Sequence, residues 1–357
     1  MKRAIPALAV AVLLVAARAV HAQEGDRALN IGPNRTGLSI GDSREWTGIR
    51  LNYRDSRLRR ANGINATIWR PYDGGHGDIN GLALGVPLVG GRNVRGIQVG
   101  LGVEATRELS GIGVAAFGLG AGEKVSGIMV GGLGAGGAGD VRGVVIGGLG
   151  AGVGGSIRGL VFGGLGAGAA GDVRGIAVGT LGVGAGGRVE GAMIGGLGVG
   201  AGSGGKGLVL GGLGAGFGDD FSGIAAGGLG VGGGGGMTGI FLAGAGVGSG
   251  GTLKYLSVAG IGVGAPRVEG VAVGGLAVGG RELRGLMVAG ATVRVVEDGV
   301  LRGVGVSAFN YVQGQQRGLT IGIVNYARRL NGVQVGVINV VRGNPKGRRV
   351  LPIVNWN

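Results

Sequence analysis

Residues 143–158 read GVVIGGLGAGVGGSIR, and residues 159–174 read GLVFGGLGAGAAGDVR. The second stretch lies on the first without a gap, so the chain repeats itself every sixteen residues. One unit has the form G-[ILV]-x-[VIF]-G-G-L-G-[AV]-G-x-G-G-x-[VI]-R. Its opening glycine recurs at Gly111, Gly127, Gly143, Gly159, Gly175, Gly191, Gly207, Gly223 and Gly239, and Tyr255 takes the same slot next. Looser spacing extends the series to Gly48, Gly63, Gly81 and Gly96 on one side and to Gly270, Gly285, Gly303, Gly318 and Gly332 on the other. A repeat of this length whose units decay toward both ends is the pattern of a stacked array with atypical caps.

Composition removes the other glycine-rich architectures. The 357 residues include 96 glycines but only 7 prolines, which excludes the Gly-X-Y collagen repeat. A flexible linker would not place Val, Leu and Ile at fixed phases. Each mid-helix glycine costs about 1 kcal/mol relative to alanine, so helical units are disfavoured as well.

What remains is strand and turn. The triplet after the opening glycine (VVI at 144–146, LVF at 160–162, IFL at 240–242) is β-forming. L-G-A-G-x alternates with period two, and the glycine pair between these halves marks a turn. The expected fold is all-β: a β-solenoid of ~16-residue, two-strand coils with like residues stacked in ladders. The flanking residues of each triplet and the leucine are expected inside against Ala and Gly. The middle residue (Met129, Val145, Val161, Phe241) is then expected to form an apolar outer face that must meet membrane, another copy or another surface. The alternative is a transmembrane β-barrel with one strand per repeat. It is disfavoured by 4% aromatics and by a duplication unit that is not a hairpin.

The chain opens MKRAIPALAVAVLLVAARAVHAQEGD, with a basic start, a short apolar run and a small-x-small site at Val20-His21-Ala22. This reads as a secretory signal over 1–22. Residues 23–80 then form an N-terminal cap or degenerate repeats, 81–290 the glycine-rich array, and 291–357 divergent C-terminal repeats and a cap. Export, with residence at the outer membrane or cell surface, is expected; the periplasm is the other option. There is no cysteine, so neither disulfides nor thiolate metal sites occur. The formal charge is +15, but the array from Gly111 to Ala265 carries seven Lys/Arg against six Asp/Glu. The excess lies at Arg50, Arg54, Arg57, Arg59, Arg60 and Arg70, and at Arg328, Arg329, Arg342, Lys346, Arg348 and Arg349. Basic ends on an exported chain point to envelope lipid or lipopolysaccharide, or else to a solvated surface that keeps the chain soluble. The array lacks aromatic stacking residues, so no nucleic-acid partner is expected.

The last units, GLTIGIVNYARRLN (318–331) and GVQVGVINVVRGNP (332–345), resemble a family of exported bacterial surface-repeat proteins of unknown function built from G-V-Q-I-G-L-x-N-type units. Gly318, Ile321, Gly322 and Asn325 match that unit, as do Gly332, Gln334, Gly336 and Asn339. The match covers roughly 300–357 and thins over 81–290. The resemblance implies export and a surface or outer-membrane setting, and it brings no catalytic residues. Asn325 and Asn339 are expected to form an asparagine ladder in a turn.

Catalytic, cofactor and metal candidates are weak. His76, in PYDGGHGDIN, is the one histidine outside the signal; with Asp73 and Asp78 it could ligate a metal, but a plain loop is the better reading. Gly200 to Lys206 spells a phosphate-loop pattern with Gly207 where Ser or Thr is required, and no strand–helix context surrounds it. GGAGD at 136–140 places its Asp one position early for a calcium nonapeptide. No catalytic residue, no cofactor and no metal are expected. The expected role is that of a non-enzymatic structural or adhesive repeat protein of the bacterial envelope or surface, with self-association as one mode. The alternative is an integral outer-membrane barrel acting as a channel.

Overall fold

The computed structural model describes residues 27–69 and 77–357. The signal-like segment 1–22, Arg70, Asp73 and His76 lie outside the described residues.

The opening glycine of each unit sets the local geometry. From Gly48 to Gly159, and again from Gly175 to Gly332, these glycines hold φ between 114° and 145°. L-residues rarely adopt that region. Space forbids a side chain as well: a Cβ on Gly143 would lie 1.9 Å from the Gly127 carbonyl oxygen, and one on Gly207 would lie 1.9 Å from that of Gly191. The chain turns a corner there without leaving the hydrogen-bonded ladder.

One coil shows the pattern. Strand Asp140–Gly147 carries the Gly143 corner in its middle. A turn at Gly148 and Leu149 leads to strand Gly150–Val153, and a second turn leads to Ile157–Gly163 in the next coil. Asp140–Gly147 pairs in parallel, in register, with Lys124–Gly131 before it and Ile157–Gly163 after it. Gly150–Val153 pairs likewise with Gly134–Gly137 and Gly166–Ala169. Each ladder therefore joins residues one repeat apart, and the fold is a β-solenoid with two short strands and two turns per coil. The barrel alternative fails on this pairing, because neighbouring strands of a membrane barrel run antiparallel. Apart from a 3₁₀ turn at Lys346–Arg348, no helix occurs among the described residues, and none is long and apolar enough to cross a membrane.

The chain divides into two compact units, one ending at Gly171 and one starting at Asp172. The first opens with a hairpin, Arg27–Ile31 antiparallel to Thr36–Asp42. Its turn holds Asn34 at φ 50° and Arg35 at φ 60°, and Thr36 N donates to Pro33 O at 2.9 Å. Two successive positive φ values match the twist of paired strands. Parallel coils follow, starting with Thr36 against Thr47 and Glu45 against Arg60. The second unit repeats the coil from Val173 onward. Its later coils vary in length, and the surplus is absorbed at irregularities between Gly280 and Glu282 and between Val295 and Val300. It closes with Val350–Trp356, antiparallel to residues 333–340.

The interior is thin, and it reverses one expectation from sequence. The middle residue of the triplet points inward: Met129, Val145, Val161, Met193, Val209 and Phe241 are fully buried. So are the residues two places before the corner, such as Val141, Ile157 and Val189. The flanking triplet residues and the leucine point out. The physical reason lies in the facing strand, which contributes Ala or Val between glycines (Ala151, Val183, Ala215). Sheets held that close admit one medium side chain per position, and sizes compensate along the stack. Phe221 stacks on Phe217 at 3.9 Å and meets Phe241 edge-on at 6.3 Å, while Gly205, paired with Phe221, and Ala225, paired with Phe241, are small.

At the ends the inward columns turn polar. Arg50 is wholly buried and donates to Asp55, to Asn65 Oδ1 at 2.8 Å, to Asp42 Oδ1 at 3.0 Å and to Ser43 Oγ at 3.1 Å. At the other end, Asn310 Nδ2 donates to Asn325 Oδ1 at 2.7 Å, and Asn325 Nδ2 donates to Asn339 Oδ1 at 2.8 Å. The asparagine ladder exists, but it runs through the buried interior rather than along a turn. Gln334 Nε2 adds a parallel rung to Gln316 Oε1 at 2.9 Å. Buried amides are tolerated where they find partners, and the stacked asparagines supply one another, while Gln334 Oε1 accepts no hydrogen bond.

Candidate functional site

With the interior assigned, each coil presents outward surfaces of three different chemistries. The first is charged. The residues just before the corner, together with neighbouring turn residues, form ion-pair ladders. Arg174 meets Asp172 at 3.4 Å and Glu190 at 3.7 Å, and Glu190 meets Lys206 at 4.0 Å. Farther along, Lys254, Glu269 and Arg284 alternate in the same column, and Glu282 bridges Arg267 and Arg284, both at 3.1 Å. Alternating signs remove the like-charge penalty of in-register stacking along these stretches, whereas Arg142 stacks on Arg158, and Arg284, Arg302 and Arg317 stack in turn. The hydrogen bond from Arg267 holds the Glu282 carboxyl below its usual range, and the nearby Arg charges act in the same direction. In the first unit, the hydrogen bond and charge of Glu123 raise the pKa of the Arg107 guanidinium. These pairs are solvent-exposed and screened by water, so they add little to stability.

The turn aspartates have a structural task. Asp140 Oδ1 accepts from Ser156 N at 2.7 Å, and Asp172 Oδ1 accepts from Arg188 N at 2.9 Å. Each carboxylate thus ties its turn to that of the next coil.

The second surface is aliphatic. The first and third triplet residues and the leucine after the glycine pair stand in exposed rows: Ile128, Leu133, Leu149 and Phe162 in the first unit, Ile194, Leu197, Leu213 and Leu229 in the second. Leu197 and Leu213 remain 50% and 51% exposed, unusually open for leucines in a regular array. A groove runs across successive coils of the second unit. Ile194, Leu210, Leu242 and Val258 line it, with the glycine pairs Gly211–Gly212 and Gly227–Gly228. Side chains are crowded at this pair, since a Cβ on Gly211 would lie 2.0 Å from Gly214 O and one on Gly212 1.6 Å from Gly196 O, although Ala243 and Thr180 hold the equivalent places in other coils. A similar groove near the end of the chain is lined by Val306, Ile321, Ile323, Val337 and Ile353.

The third surface is bare backbone. A Cβ on Gly152, Gly184, Gly200 or Gly216 would meet nothing within 4 Å. Glycine at these positions is not imposed by the coil itself.

The residues singled out from sequence fall as follows. Asp78 starts a strand and accepts from Arg92 at 3.2 Å and Asn93 at 2.8 Å. No group of three or more His, Asp or Glu side chains positioned to hold a metal occurs among the described residues. Gly200 and Lys206 sit in strands Gly198–Ala201 and Gly205–Gly211, far from any helix N-terminus. The basic ends are partly consumed internally. Arg50 is a core residue rather than a surface one, and Arg57 pairs with Asp42 at 3.3 Å. Arg328 meets Asp298 at 3.3 Å, and the Arg348 guanidinium lies 5.7 Å from the Trp356 ring centre. Compared with protein-family models, with curated proteins and with solved structures, the chain matches none.

Proposed function

We propose that this chain is a non-enzymatic structural and adhesive repeat protein of the bacterial cell envelope, working through its aliphatic face as a docking surface. One observation carries the reading: rows of half-exposed aliphatic side chains repeat coil after coil on a ladder-fixed backbone, separate from the charged surface. A face of this kind is costly in water unless something covers it. The signal-like start and the resemblance of residues 318–345 to exported surface-repeat units support an envelope setting. No catalytic role is assigned, because the charged side chains described above are committed to ladders and caps.

Fractionation of bacteria expressing the tagged chain tests the location. The expected result is a chain in the envelope fraction whose N-terminus lies near Gln23. A full-length cytosolic chain that still begins at Met1 would overturn the envelope assignment.

A further inference from the structure

We infer that the aliphatic face of the second unit is a pairing surface for a second copy of this chain, with a row of leucines from each copy lying along the groove of the other. This pairing rests on the docking role of that face proposed above and names its occupant.

The face is large enough. Seven successive coils, opened by Gly175, Gly191, Gly207, Gly223, Gly239, Tyr255 and Gly270, carry it. Coils ~4.8 Å apart, each presenting about 20 Å of chain from the triplet to the leucine, give roughly 600 Å² per copy. Two copies would bury about 1,200 Å² in total, which reaches the range of specific protein interfaces.

Its spacing also selects the partner. Leu197 and Leu213 belong to successive coils, as do Leu210 and the glycine pairs of the groove, and both rows take their spacing from the same backbone ladder. A partner with another spacing falls out of step within a few coils. A second copy has the same spacing by construction, so a two-fold axis across the face brings each ridge against a groove along its length. A two-fold interface of this kind is self-complementary and closed.

Charge and rigidity favour the same contact. The groove is lined wholly by aliphatic residues and glycine, and the ion-pair ladders lie on other positions of the coil. Contact therefore desolvates no charge. The rows are already ordered by in-register pairing, so little backbone freedom is lost on association.

The test compares wild type with Leu197→Asp/Leu213→Asp and with Gly200→Ser, by sedimentation velocity over a concentration series without detergent and by circular dichroism. Wild type and G200S should be dimers. L197D/L213D should keep the same dichroism, because both leucines point outward, yet associate at least roughly a hundredfold more weakly. A wild type that stays monomeric throughout overturns the inference, as does a dimer that survives L197D/L213D or is lost in G200S. A monomeric wild type that binds phosphatidylethanolamine–phosphatidylglycerol vesicles, with binding lost in L197D/L213D, also overturns it, while leaving the docking role of the face standing with lipid as its occupant.

Discussion

Three glycine-column positions that look alike in sequence carry different demands. Gly207 sits at φ 134°, and its Cβ would lie 1.9 Å from Gly191 O, so Gly207→Ala combines backbone strain with a clash against a ladder carbonyl. Strained backbone positions cost about 1–3 kcal/mol each, and the variant should lose at least that much in urea unfolding. Gly200 has open space where a Cβ would go and no positive φ, so Gly200→Ala should be neutral or slightly stabilising. Tyr255 is the converse case, a bulky side chain at φ 78° in a column otherwise glycine, 68% exposed and between Gly239 and Gly270 in the ladder. Tyr255→Gly should raise stability by about 1 kcal/mol through relief of that strain. If the urea midpoint of Tyr255→Gly falls instead, the ring makes contacts that outweigh the strain, and the corner does not govern stability at that position.

At the scale of the coil, the governing fact is that pairing is in register by one repeat. Deleting residues 191–206 joins Glu190 to Gly207, which then occupies the corner that Gly191 held. The stability of a repeat array is the sum of each coil's own contribution and its contacts with the coils beside it. This variant should therefore keep its β dichroism per residue and melt cooperatively within several degrees of wild type. Deleting only residues 199–206 places a corner glycine where inward Val199 stood and should unfold or aggregate the array. Equal behaviour of the two deletions in thermal melts would refute the coil as the unit of folding. This phase was legible in sequence because positive φ at the corner is a backbone requirement, and glycine meets it at the same place in every coil but the one opened by Tyr255. Which side of the triplet faces inward was not legible, since all three positions are apolar and period two cannot tell the two sides apart. Two signals could have told them apart. The middle position varies in size with its neighbours (small Ala225 between Val209 and Phe241, Phe241 between Ala225 and Ser257), as packed interiors do. It also becomes Arg50, Asn65 and Gln98 toward the start, residues that suggest surface until their partners are seen.

For the whole molecule, the hazard of this architecture is its open end. A terminal parallel coil offers a row of unpaired amides and carbonyls, and such an edge templates the addition of another chain. Val350–Trp356 covers that edge by running antiparallel to residues 333–340, a direction the array itself never uses in this unit. The strand is itself a poor template. Pro352 lacks a donor, Ile353 adopts φ 65°, and the pairing shifts between Gly336 and Asn339. Asn355 Nδ2 also reaches Asn339 O at 3.3 Å, tying the cap to the end of the buried asparagine ladder. Ending the chain after Pro345 removes the strand, exposes residues 333–340 and leaves Asn339 without the Leu351 carbonyl that it donates to at 3.3 Å. The truncated chain should therefore polymerise end to end. Light scattering should show growth with time at concentrations where the intact chain is stable, and thioflavin binding should rise with it. The aliphatic face makes a separate contribution that the Leu197→Asp/Leu213→Asp background removes, so growth that persists in that background belongs to the uncovered edge. Growth that vanishes with the two leucines would instead show that the cap is dispensable and that the lateral face alone drives assembly.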